Sequence, residues 1–111
     1  MAVPAVQKQK LTVEEFAQRY LGKRAELING EVVEYMPAGH RHGEVALNIG
    51  AEIRQFVKQN QLGKAYGAET GFILPSAGGD TVRAPDVAFV RKERIPQEGW
   101  GEGFCPIVPD L

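Results

Sequence analysis

The chain has 111 residues, of which 43% are apolar and 24% charged, and a net charge of −1. That is about one domain of ordinary globular composition, and so small a charge excludes a global positive field for nucleic acid, so any DNA contact must come from a local patch. The single cysteine, Cys105, excludes an internal disulfide and a cysteine-rich zinc site, and no stretch has the apolar length of a signal-peptide core or a membrane span, which predicts a cytoplasmic protein with no membrane partner.

Residues 1–10 read as a flexible N-terminal tail and 11–111 as a single domain. In "LTVEEF", Thr12 can cap a helix, Glu15 three residues on completes a capping box, and Leu11 can staple onto Phe16. That helix runs to about Tyr20 and stops at Gly22. "AELINGEVVEYM" is a hairpin around Asn29-Gly30, the pair that tolerates positive φ at both centres of a type I′ turn. Its register places Leu27 opposite Val32 and Ile28 opposite Glu31.

"PAGHRH" reads as a loop, and a second helix begins at about His42. Val45, Ile49, Ile53, Phe56 and Val57 recur at helical spacing and predict one buried stripe, with Gly63 as the C-cap. "KAYGAETGFIL" reads as a strand and "PSAGGD" as a turn. "RAPDVAFV" reads as a nearly continuous apolar strand from the middle of a sheet, where Pro85 is allowed only near the first residue. "RKERIPQEGWGEGFCPI" is loop-like, and Cys105 within it reads as a small buried apolar residue.

Candidate chemistry gathers on the two later strands. If 65–74 and 84–90 lie side by side, Glu69 shares a face with Gly71 and Ile73, and Asp86 with Ala88 and Val90. Two carboxylates beside small neighbours offer the hard oxygens and the space for retained water that Mg²⁺ or Mn²⁺ requires. Such an ion could polarise a phosphodiester and lower the pKa of an attacking water. The competing reading of Asp86 is a Pro-Asp turn that leads the chain into a strand, with the carboxylate bonded to its own backbone.

Other polar features carry less. His40 and His42 could chelate from an extended segment, but they lead straight into a helix with no third ligand nearby and read as a loop pair without a metal. At a helix start the macrodipole disfavours a cationic His42 and suits the acidic Glu44. "SAGGD" lacks the lysine and following helix of a phosphate-binding loop. Lys8, Lys10, Arg19, Lys23 and Arg24 are interspersed with acids and lack an aromatic ladder, the pattern of a solvated face.

Taken in order, "LTVEEFAQRY", "AELINGEVVEYMPAGHRHGEVALNIGAEI", "GAETGFILP", "TVRAPDVAFVRKERIP" and the closing "VPDL" resemble the Uma-type putative restriction endonuclease family. This is a bacterial family of the PD-(D/E)XK nuclease-like superfamily, long catalogued as a domain of unknown function. The resemblance spans Leu11 to Leu111. It implies an α/β restriction-endonuclease-like core, with a mixed central β-sheet flanked by helices, and Mg²⁺- or Mn²⁺-dependent hydrolysis of DNA phosphodiester bonds. It implies Asp86 of "APDV" as the metal-binding aspartate. Glu69 of "GAETGF", as a further metal ligand, and Glu44 of "HRHGEV" stand where they could assist at the same site.

The family pattern continues past "PDL" into a strand with a second metal-binding glutamate and a water-orienting lysine, which this sequence does not contain. The expectation is therefore the N-terminal portion of a nuclease-like domain, cut short at its C-terminus and inactive or strongly impaired, since such groups act together. A strand at 84–90 left without a partner would expose a flat edge and favour a homodimer or higher self-association. The alternative function is a non-catalytic nuclease-like scaffold that binds protein or DNA.

Overall fold

The computed structural model describes residues 10–111. The expected tail therefore lies outside the described residues, apart from Lys10, whose Nζ donates to the Gly78 carbonyl at 2.7 Å. The architecture is mixed α/β: two α-helices, a four-stranded sheet and a two-stranded sheet, both antiparallel.

Helix α1 spans Val13–Tyr20. The capping box is present: the Thr12 hydroxyl accepts from the Glu15 amide at 3.2 Å, and the Glu15 carboxylate accepts from the Thr12 amide at 3.1 Å. The free Val13 amide donates to Asp80 at 2.9 Å, so a distant turn completes the cap. Leu11 and Phe16 are buried in one cluster, as the staple requires. Because Thr12 is exposed and contributes mainly its hydroxyl, Thr12→Ala should lower stability by about 1 kcal/mol in a urea titration.

The hairpin forms as its sequence predicts. Strands β1 (Ala25–Ile28) and β2 (Glu31–Glu34) pair with Leu27 opposite Val32 and Ile28 opposite Glu31. Asn29 and Gly30 take φ of 51° and 84°. β5 (Thr81–Arg83) lies on the other side of β1, and β4 (Phe72–Leu74) pairs with β5, giving the order β2-β1-β5-β4.

The second sheet pairs β3 (Gly63–Tyr66) with β6 (Ala88–Arg91), with Ala65 opposite Phe89. The expected strand over 65–74 is thus two strands in different sheets, broken at 67–71. The expected strand over 84–90 is likewise broken, and Asp86 sits in the bend between β5 and β6. The free edge expected along 84–90 is met at Phe89, whose amide donates to the Leu111 carbonyl and whose carbonyl accepts from the Asp110 amide. Asp110 is further anchored by the Arg91 amide at 2.9 Å and by Arg94 at 3.0 Å. The Arg91 amide bond above all, with Arg94 beside it, holds the Asp110 carboxyl below the usual range.

Two cores lie on opposite faces of β4. Ile73 packs toward the first (Leu11, Phe16, Ala25, Leu27, Val82), and Phe72 and Leu74 toward the second, with Ala88, Val90 and Cys105. That split follows from the alternation of side chains along a strand. Cys105 is buried, as expected, and its backbone bridges in parallel to Phe72.

Helix α2 spans His40–Gln59, two residues longer at its start than expected. Its predicted stripe is mostly uncovered. Val57 alone in the helix is buried, while Val45, Ile49 and Phe56 remain exposed. Periodicity shows that a helix has an apolar face but not that anything covers it. Nor does Gly63 cap the helix. Asn60 is the C-cap, and Gly63 opens β3 with φ of 155°.

Candidate metal and phosphodiester site

The chain passes between the two sheets through three segments: 35–39 leading into α2, 67–71 between β3 and β4, and 84–87 between β5 and β6. They converge on one cleft of about 360 Å³, to which they contribute Tyr35, Met36, Pro37, Ala38, Ala68, Glu69, Ala84 and Asp86. Arg24, Glu26 and His42 complete the wall.

Asp86 and Glu69 both line this cleft, although not from the neighbouring strands that alternation predicts. Neither lies in a strand, and each projects from a bend where the backbone leaves one sheet for the other. Glu69 holds a left-handed φ of 68°, a conformation uncommon for a residue with a Cβ and characteristic of tight turns or sites that hold a side chain in place. Glu44 lies exposed on the first turns of α2, outside the cleft lining, and His40 is the exposed first residue of that helix.

Each carboxylate in the cleft has a cationic or potentially cationic neighbour. Glu26 accepts from Arg83 Nε at 3.1 Å and from the Ala84 amide at 2.8 Å. Glu69 accepts from Arg24 Nε at 3.1 Å. Asp86 Oδ1 lies 3.3 Å from His42 Nε2, an ion pair when the imidazole is protonated. The Asp86 and Glu69 side chains are 57% and 55% exposed, so both are reachable from solvent. Burial first, then the charges of Glu69 and Glu26, raise the Tyr35 phenol above its ordinary value. Asp86 adds to this and Arg24 opposes it. Tyr35 therefore stands in the cleft as a protonated hydrogen-bond donor.

The sequence reading missed Arg24, Glu26, Tyr35 and the pairing of His42 with Asp86. "HRH" ahead of a helix was a visible signal for His42, but nothing local tied it to a residue 44 positions later. Among the described residues, no group of three or more His, Cys, Asp or Glu side chains is placed to hold a metal ion. The donor chemistry nevertheless fits a weakly held, water-rich Mg²⁺ or Mn²⁺, which is usually bound through one or two carboxylates together with substrate phosphate. Asp86 and Glu69 would be those carboxylates.

Among the described residues, no helix is long and apolar enough to cross a membrane. No curated protein and no solved structure matches the chain. A family model does: residues 13–111, which hold every residue of the cleft, match Uma2, described as putative restriction endonuclease, and the chain belongs to that family.

Proposed function

We propose that the cleft is a metal-assisted phosphodiester hydrolysis site acting on DNA, in a bacterial cytoplasmic nuclease, with strongly impaired turnover in the chain as it stands. The observation that carries this reading is the convergence of Asp86 and Glu69, from two separate crossings between sheets, on one solvent-open cleft in a member of a restriction endonuclease family. A bound divalent ion would supply polarisation of the phosphodiester and an acidified water.

The chain's own groups have separate tasks. Asp86 would hold the ion, with its carboxylate oriented by His42 Nε2. Glu69 would be the second oxygen donor once released from Arg24. Tyr35 keeps its proton and donates a hydrogen bond to a phosphate oxygen. Glu44, outside the cleft wall, assists only if substrate reaches the start of α2. Impairment follows from the lining itself. Among the described residues no lysine lines the cleft to orient a water, and Glu69 is engaged by Arg24. Removing one member of a cooperating set costs most of the rate.

A non-catalytic scaffold is the second reading, favoured by the local compensation of all three cleft carboxylates. Calorimetric titration with Mn²⁺ separates the two. The chain should bind Mn²⁺ weakly, and Asp86→Ala should reduce that affinity by at least about tenfold, the lower bound for losing even an outer partner of a metal site. Equal binding by both proteins would remove the metal site and leave the scaffold. A time course on supercoiled plasmid with Mg²⁺ or Mn²⁺ should show little nicking. Robust cleavage abolished by Asp86→Ala would establish the site and refute the impairment.

A further inference from the structure

A second cleft of about 230 Å³ adjoins the first, and the two share Tyr35, Glu69 and Ala84 as a common wall. Its charge differs in kind. In the first cleft Glu26 and Glu69 are each matched by an arginine, and Asp86 faces His42. In the second, Arg83 is already taken up by Glu26, but Lys23 makes no salt bridge among the described residues. Lys23 is exposed, and its ammonium lies over the Tyr20 ring at 5.8 Å from the centroid. Tyr20 in turn stacks on Phe16 of the first core, so the platform beneath the charge is fixed. A Cβ added at Gly22 or Gly103, both in the lining, would meet nothing within 4 Å, so the rim is open to a large ligand.

We infer that this second cleft is a nucleic-acid subsite in which Lys23 holds the phosphate next to the one at Asp86, so that a strand crosses the Tyr35–Glu69–Ala84 wall. This rests on reading the first cleft as a phosphodiester site. Three features favour a nucleic-acid strand over a free small ligand. The volume falls below the ~300–1,000 Å³ typical of drug-sized ligands, which suits one unit of a polymer. The two clefts share a wall at Tyr35, Glu69 and Ala84. And an exposed ammonium with no salt bridge among the described residues is free to contact a strand's phosphate without reading sequence. With a net charge of −1, the whole protein gives little attraction, so one lysine at the right place has a measurable share.

The test is fluorescence anisotropy of a labelled single-stranded oligodeoxynucleotide of about 12 nucleotides, within the range of known site sizes, with the full chain in EDTA. Without divalent ions the outcome is independent of metal binding at Asp86. Lys23→Ala should weaken binding roughly 3- to 10-fold and reduce the slope of log K against log[salt] by roughly 0.7, the value for one single-strand phosphate contact. Lys23→Arg should retain most of the affinity. Lys58→Ala, at the far end of α2 and outside both clefts, should change neither quantity. Unchanged affinity and slope in Lys23→Ala, an equal loss in Lys58→Ala, or no binding by the native chain would each overturn the subsite. If Lys23→Ala behaves as expected while Asp86→Ala leaves Mn²⁺ binding intact, the subsite stands and the metal reading falls.

Discussion

Phe72→Ala should destabilise the protein by about 3–5 kcal/mol, the usual cost of emptying a buried phenylalanine site, against a total of about 5–15 kcal/mol for a native domain. Phe72 is 1% exposed and belongs to β4 of the larger sheet, yet its ring packs with Ala88 and Val90 of the smaller one. It also meets the Tyr66 ring edge-on at 5.6 Å, again across the two sheets. The cavity would therefore open at the joint between the layers, where the flanking strands β4 and β6 are short and the backbone bridge to Cys105 is a single pair. Trp100, the only tryptophan, packs against the same cluster, so its fluorescence reports on this joint. Urea titrations followed by that fluorescence and by far-ultraviolet circular dichroism are the measurement. A loss below about 1 kcal/mol would show that the two sheets do not depend on this ring.

Gly63→Ala should cost about 3 kcal/mol through backbone strain and overpacking rather than a void. A Cβ at this position would lie 2.1 Å from the Val90 carbonyl oxygen and 2.8 Å from Arg91 Cα and Lys92 N. All three are backbone atoms, so no rotamer change relieves the contact. The φ of 155° adds to the strain for any residue with a side chain. The damage falls on the start of the β3–β6 pair, where Gly63 lies opposite Arg91 and the Lys92 amide donates to Leu62 at 2.8 Å. Gly67→Ala is the matched comparison. A Cβ there would meet nothing within 4 Å, and the change should stay within about 0.5 kcal/mol of native. Similar urea midpoints for the two variants would refute this account of Gly63.

What the sequence made legible was local. The Thr12–Glu15 capping box and the Asn29-Gly30 turn are fixed by interactions within a few residues, and both appear with the expected partners. The Uma-type motifs conveyed the family and the α/β class. What failed was each inference that needed to know what lies on the other side of a strand or helix. The apolar run at 84–90 concealed a bend at Asp86-Val87 because both flanking strands are buried, in different cores. Glu69 was assigned to a strand although the chain turns at Ala68-Glu69, with a left-handed backbone at Glu69. The α2 stripe was real as a pattern, but coverage is a tertiary property. Asp86 and Glu69 both stand beside small residues at breaks in apolar segments, and both line the first cleft although the strand register expected for them is absent. His42, Arg24 and Tyr35 reach the cleft only through the fold.

The three crossings that build the cleft have a mechanical meaning. Each sheet is internally hydrogen-bonded, while the bends at 67–71 and 84–87 that carry Glu69 and Asp86 are among the few covalent ties between them. Any rocking of one layer against the other is concentrated in those bends and is felt first as a change in the separation of the two carboxylates. Conversely, an occupant that holds both carboxylates acts as a clasp across the layers. It would slow hydrogen exchange in strands it never touches, so that occupancy of the cleft can be read from the stiffness of the whole molecule.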